Sequence, residues 1–315
     1  MPGALPADAV FLIDGHSYIY RAQFALAAIK TPRGEPCQAV LGFGNILVKF
    51  LRERQPAAVA VALDADVKQS FRQALDPAYK ANREAAAPEL LRQFGWCERL
   101  LCALGVTTFK QADFEADDVI ATLTHRLVQQ HRPVVVCSSD KDLGQLVQDG
   151  VSLLDLASGV VAGVDDVRAR WGVWPHQLAD LFGLIGDQID NIPSVPGFGK
   201  KTAAAVLNAF ATLDQIPTEV EPLRGVVRGA DKLVRSWREH RGRALCSREL
   251  ARARTDVPVT CGDLTYCGPR ARELTELCEE LGLKAFPERA LRMLAARPRG
   301  SGSAPAGRQG LLFGE

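Results

Sequence analysis

No stretch of the 315-residue chain approaches the roughly 18 consecutive apolar residues that a membrane helix requires. Met1 to Val10 also lacks the basic start and long apolar run of a secretory signal. These absences exclude a helical membrane protein and point to a cytoplasmic one. The eight cysteines, scattered from Cys37 to Cys278, never take CxxC spacing. That argues against a zinc site or a secreted disulfide framework and leaves most of them as reduced packing residues. Only five histidines are present, none in a recognisable nucleophile context, so Ser-His-Asp or Cys-His catalysis has little support. A Walker phosphate loop is missing too, because no GxxxxGK followed by Ser or Thr opens a helix after a strand. GFGKKT at Gly197–Thr202 is too short for that motif.

What is present is ample apolar material, 47% of the chain, enough for one large domain or two smaller ones. The net charge of +1 conceals an asymmetry. Gln111 to Asp190 holds thirteen acidic residues against five basic, whereas Arg224 to Arg254 holds ten basic against three acidic. One region should attract cations and the other phosphates. Three apolar runs, Ala9 to Ile13, Ala58 to Leu63 and Pro133 to Cys137, read as buried strands separated by helix-like stretches. That alternation implies an α/β fold with a mostly parallel central sheet flanked by helices. Ligands collect at the carboxyl ends of such strands, and the residues arriving there are Asp14, Asp64 and Asp140. Taken singly, each acid is an ordinary cap for the next helix. Three in three call for more.

Six further acids join them: Glu115, Asp117 and Asp118 in FEADDVIATL, Asp142 in SSDKDLGQL, and Asp187 and Asp190 in GDQIDNIP. FEADDVIATL reads as a helix start, where the dipole accounts for one or two acids. Asp187 and Asp190, if helical, share one face, and Asp140 and Asp142 would reach the same end of an extended segment. Convergence of these groups would raise several pKa values unless divalent cations neutralised them. Oxygen donors in this number suit magnesium or manganese, and the chemistry they support is two-metal phosphoryl transfer, with ions ~3.5–4 Å apart.

Two elements suit nucleic acid. In SVPGFGKKTAAAVL a turn through Gly197 and Gly199 opens a helix at Lys200, Lys201 and Thr202, where backbone N–H groups can meet a phosphate without reading a base. In FRQALDPAYKANREAAAPEL, Arg72, Lys80 and Arg83 flank Tyr79, a combination that grips single strands by phosphate contact and stacking, though a solvated amphipathic helix reads equally well from it.

FLIDGHSYIYRA, the FRQ to YKANR block, FEADDVIATL, SSDKDLGQLV and GDQIDNIPSVPGFGKKTA, in that order, resemble the 5' nuclease domain of bacterial DNA polymerase I and the related flap endonucleases over roughly residues 8 to 290. The resemblance implies a PIN-like 5' nuclease core at 1–175 with a helical arch at about 68–95. It further implies a helix-hairpin-helix DNA-binding region at 176–290, with a monovalent cation such as potassium as a candidate at its turn. It places metal-site acids on Asp14, Asp64, Glu115, Asp117, Asp118, Asp140, Asp142, Asp187 and Asp190, and two magnesium ions among them. Lys80 and Arg83 would approach the scissile phosphate, Tyr79 would stack on the strand, and Arg21 and Arg72 would contact DNA. The implied partners are 5' flaps, nicks, 5' ends and RNA primers on DNA, met by a nucleoid-associated monomer. Two departures are CSSD before the DKD stretch and Ser194 where the family commonly has Gly. No polymerase region follows within the 315 residues, so the expectation is a stand-alone nuclease.

Residues 298–315 shift to Pro, Gly, Ser, Ala and Arg, the composition of a disordered tail. Within it Gln309, Leu311, Leu312 and Phe313 form a peptide similar to those by which bacterial repair proteins dock on the sliding clamp; the competing reading is a segment packed on its own domain. Two functional alternatives stay open: a junction-binding protein without chemistry, and a PIN-like ribonuclease, which needs neither GFGKKT nor YKANR.

Overall fold

The computed structural model describes residues 5–65 and 70–295. The three apolar runs form β1 (Val10–Asp14), β2 (Ala58–Asp64) and β4 (Val134–Cys137), paired in parallel with β1 in the middle. Both faces of these strands are covered, which explains why they are apolar throughout rather than alternating. Three further strands carry too weak a sequence signal to be read. Edge strand β3 (Thr107–Gln111, TTFKQ) is polar at all but Phe109, β5 (Val151–Leu154) has four residues, and β6 (Val161–Ala162) has two. Among the described residues the sheet order is β3-β2-β1-β4-β5-β6, and of these strand pairs only β5–β6 is antiparallel. The chain therefore has the α/β class expected of it.

Successive residues of a strand point to opposite faces, so the sheet divides the core in two. Val10 and Leu12 face α5 (Ala116–Gln129), while Phe11 and Ile13 face α1 (Gly15–Ala25), α2 (Gln38–Arg54) and α4 (Pro88–Ala103). The short α3 (Phe71–Leu75) precedes α4. Helices α6 (Val164–Trp171), α7 (Leu178–Ile185), α8 (Lys200–Phe210), α9 (Glu221–Arg224) and α10 (Ala230–Ala251) extend the first core. Helices α11 (Ala271–Glu280) and α12 (Phe286–Ala295) return to the second core against α4 and α2. The span 176–290 thus feeds both cores. No helix among the described residues is long and apolar enough to cross a membrane.

Candidate active site

The strand order reverses at β1 and β4, and the carboxyl ends of β1, β2 and β4 open on one edge. Asp14 ends β1 and caps α1, its Oδ1 accepting from the Ser17 backbone N–H at 3.1 Å. Its Oδ2 accepts from the Ser138 hydroxyl at 2.8 Å. Asp64 ends β2 and takes the Ala116 backbone N–H at 2.7 Å, so the first turn of α5 orients it. Asp140 follows β4, donating its N–H to Ser138 Oγ and accepting the N–H of Asp142. Asp142 opens a 3-10 turn rather than extending the strand.

Asp187 and Asp190 lie in a closed loop, not on a helix face. Paired backbone hydrogen bonds join Asp187 and Ile192 at 2.9 and 2.7 Å. Gly186 makes the loop feasible: its φ is +68°, and a Cβ there would stand 2.5 Å from the Ile192 carbonyl oxygen.

Glu115 and Asp118 form the capping box of α5, so helix termination accounts for two acids of FEADDV. Asp118 is fully buried, and both of its oxygens are engaged by the Arg72 guanidinium at 2.7 and 2.8 Å. Asp118, expected as a metal ligand, and Arg72, expected as a DNA contact, are thus held by each other, and Arg72 is itself only 3% exposed. Tyr79, expected to stack on a strand, is likewise buried, with its hydroxyl donating to Glu115 and Asp190. Lys80 Nζ stands 2.8 Å from Glu115 and 3.7 Å from Asp190, and Arg83 pairs with Asp190. The YKANR segment is therefore folded down onto the acids. Only about 10 Å³ of free space, room for one water at most, remains among Tyr79, Glu115, Asp117, Asp142 and Asp190.

Charge repulsion inside this group is strong. Burial, then Asp140, Asp14 and Glu115, hold the Asp117 carboxyl well above the usual carboxylate range. Burial with Asp140 and Asp187 does the same at Asp142. Asp140 is raised by burial and by Asp14 and Asp190, against the Asp142 N–H. Asp64 is raised by burial and Glu115, against His16. Glu115 moves the other way despite burial, because Lys80 and Arg72 favour its charge. Eight of the nine acids, Asp118 excepted, are thus brought together or within electrostatic reach of one another.

Among the described residues no three His, Cys, Asp or Glu side chains already surround one point as ligands would. The donor set nevertheless fits a hard divalent cation. It is all oxygen, it repels itself, and Asp142 Oδ1 is buried without a hydrogen-bond partner. Asp14, Asp64, Glu115, Asp117, Asp140, Asp142, Asp187 and Asp190 are the residues that could hold such ions.

Four contributors escaped the sequence reading. His16 stacks on Phe94 with centroids 4.3 Å apart and sets Nε2 3.5 Å from Asp64. Lys141 pairs with Asp187 at 2.7 Å. Ser138 bridges Asp14 and Asp140, and Gln145 donates to the Asp142 carbonyl. The CSSD departure marked Ser138, and the lysine inside DKD marked Lys141.

The glycine turn lies where the sequence puts it: Gly197 has φ +89°, Gly199 caps α8, and Lys200 and Lys201 are exposed beside the partly exposed Thr202. Lys200 Nζ also rests 4.6 Å over the Trp171 ring. Arg21 is a surface residue 3.5 Å from Asp155. The peptide at Gln309, Leu311, Leu312 and Phe313 lies outside the described residues.

Residues 9–172 match the family described as 5'-3' exonuclease, N-terminal resolvase-like domain, and residues 173–272 match its C-terminal SAM fold. The chain belongs to the 5'-3' exonuclease family. It is accordingly a nuclease. It is 38% identical over 285 residues to DNA polymerase I of Bacillus caldotenax and 40% over 254 residues to that of Treponema pallidum, covering 88% and 79% of this chain but 32% and 25% of those proteins. The chain spans about a third or less of these curated relatives. Its fold is that of the T5 5'-exonuclease solved with zinc (TM-score 0.63, 20% identity, 91% of this chain and 99% of that one). The catalytic core of Rad2 in complex with DNA shares it as well (TM-score 0.62, 15% identity, 91% and 93%).

Proposed function

We propose that this family member is a structure-selective 5'-3' exonuclease and 5'-flap endonuclease that hydrolyses DNA phosphodiesters in replication or repair, leaving 5'-phosphate and 3'-hydroxyl ends. The observation that carries the reading is the convergence of eight self-repelling carboxylates on one sheet edge, beneath two basic side chains. Magnesium, with manganese as a substitute, suits the oxygen donors. The chemistry that two bound ions supply is acidification of water and neutralisation of charge on the leaving oxygen.

This chain's own residues do the rest. Lys80 and Arg83, which rest on Glu115 and Asp190, would exchange these carboxylate partners for a phosphate once cations neutralise the cluster. The exposed N–H groups, Lys200 and Lys201 at the start of α8 hold a duplex phosphate without reading sequence. Residues 1–175 then carry most of the chemistry, joined by Asp187 and Asp190, and the remainder of 176–290 the grip. The test incubates the protein with labelled 5'-flap DNA, matched single-stranded RNA and Mg²⁺, with Asp140→Ala and EDTA as controls. Cleavage of the flap that both controls abolish is the expected result. Binding without cleavage supports a junction-binding protein instead, and cleavage confined to RNA supports a ribonuclease.

A further inference from the structure

Helix α10 ends beside the carboxylates, and its last carbonyls have unusual partners. A helix C-terminus leaves several carbonyls without intrahelical donors, and water or a following glycine ordinarily meets them. Here two side chains from elsewhere do so. Arg72 Nε donates to the Leu250 carbonyl at 2.8 Å and Arg72 Nη2 to the Arg252 carbonyl at 3.0 Å. Gln145 Nε2 donates to the Ala251 carbonyl at 3.1 Å, and Gln145 Oε1 accepts the Ala253 N–H at 3.0 Å.

Each of these side chains also holds an acid-bearing segment. Arg72 grips Asp118 through two hydrogen bonds, and Asp118 in turn accepts the Glu115 N–H at 3.2 Å and the Arg254 N–H at 2.9 Å. Glu115 and Asp117 flank that joint in the first turn of α5. On the other side, the same Gln145 amide donates to the Asp142 carbonyl at 2.9 Å. The C-terminus of α10 is thus the common anchor of two separate strings of carboxylates.

We propose that Arg72 and Gln145 are positioning residues: they tie the Glu115–Asp118 and Asp140–Asp142 segments to the C-terminal carbonyls of α10 and so set the spacing between the two sets of metal-site acids. The proposal rests on the divalent-metal reading of the site. Neither side chain touches substrate in this role. A fixed anchor matters because like charges drift apart without one, and a divalent ion then finds its ligands too widely spaced.

The test is Mn²⁺ binding to the whole chain, followed by electron paramagnetic resonance without DNA, for three proteins: wild type, Gln145→Met, and the double variant Arg72→Met with Asp118→Leu. The double variant removes both partners of the buried pair together, and Glu115, which also loses Arg72 at 3.6 Å, keeps Lys80 at 2.8 Å as its cation. Gln145→Met alters no charge and keeps the side chain's length. Thermal unfolding in EDTA should show both variants folded cooperatively at lowered midpoints, because backbone groups lose their partners, while their Mn²⁺ dissociation constants, measured well below those midpoints, rise about 10–100-fold, the range for residues that orient metal ligands. Folded variants that bind Mn²⁺ as wild type does overturn the proposal. So does a double variant whose one change is a DNA-binding salt dependence shallower by about one unit, the mark of a lost phosphate contact. If wild type itself binds no Mn²⁺, the metal reading fails and takes this one with it.

Discussion

Asp117 concentrates the cost of assembling the site, because burial and three neighbouring carboxylates all disfavour its charge. Asp140, Asp142 and Asp64 share that direction. A carboxyl whose pKa is higher folded than unfolded binds its proton more tightly in the native state, so stability falls as pH rises from the ordinary value of 3.8 through the folded one. Glu115, shifted the opposite way, titrates below its ordinary 4.5 and leaves the neutral range unaffected. The metal-free protein should therefore melt at a higher temperature at pH 5.5 than at pH 7.5. Mg²⁺ should reverse that order by neutralising the cluster where protons do not. A melting temperature in EDTA that stays level or drops on acidification counts against the repulsion. Ser138 supplies a second test. It is fully buried, donates to Asp14 and accepts from Asp140. Ser138→Ala leaves the Asp140 N–H unsatisfied, a loss of about 1–3 kcal/mol in urea unfolding, and should slow cleavage about 10–100-fold through the misplaced carboxylates. Wild-type rates in the folded variant would show that the bridge is dispensable.

At the level of elements, the strand-to-helix turn at Asp14 depends on a residue without a side chain. A Cβ on Gly15 would stand 2.5 Å from Val61 Cγ1 and 2.7 Å from Leu63 Cδ2, both buried in β2. Neither neighbour has room to yield, so Gly15→Ala should lower stability by about 1–3 kcal/mol, the range for overpacking, and shift Asp14 with the start of α1. Urea unfolding and flap cleavage measured together check this; unchanged values for both would mean that the turn relaxes freely. The same elements show what the sequence made legible. Short apolar runs revealed β1, β2 and β4, and the acids after them followed from strand ends. Strands β3, β5 and β6 were too polar or too short to show a period. Asp187 and Asp190 were found by residue type, yet their closed loop depends on Gly186 at positive φ and paired backbone bonds, which spacing alone does not encode. The pairing of Arg72 with Asp118 was not legible for a physical reason: a guanidinium facing solvent and one locked on a buried carboxylate look identical in a string of letters.

Over the whole molecule, a net charge of +1 provides no general attraction to nucleic acid, so any DNA affinity must come from local surfaces. The expected clamp-binding peptide at Gln309, Leu311, Leu312 and Phe313 would be an address independent of charge. Leu312→Ala with Phe313→Ala should release the protein from a purified bacterial sliding clamp in a pull-down, and equal retention would sink that reading. The α8 turn is the better-defined surface, with exposed Lys200 and Lys201 at a helix N-terminus. Phosphate contacts release condensed counterions, so the logarithm of affinity for nicked duplex should fall linearly with the logarithm of salt. Each lysine that meets a phosphate adds about one unit to that slope. Lys200→Ala with Lys201→Ala should thus make the line shallower by about two units and weaken binding equally for unrelated sequences, while Mg²⁺-dependent cleavage at low salt and saturating DNA stays close to wild type. A slope that survives both substitutions would move the duplex grip away from this turn, to the basic stretch between Arg224 and Arg254.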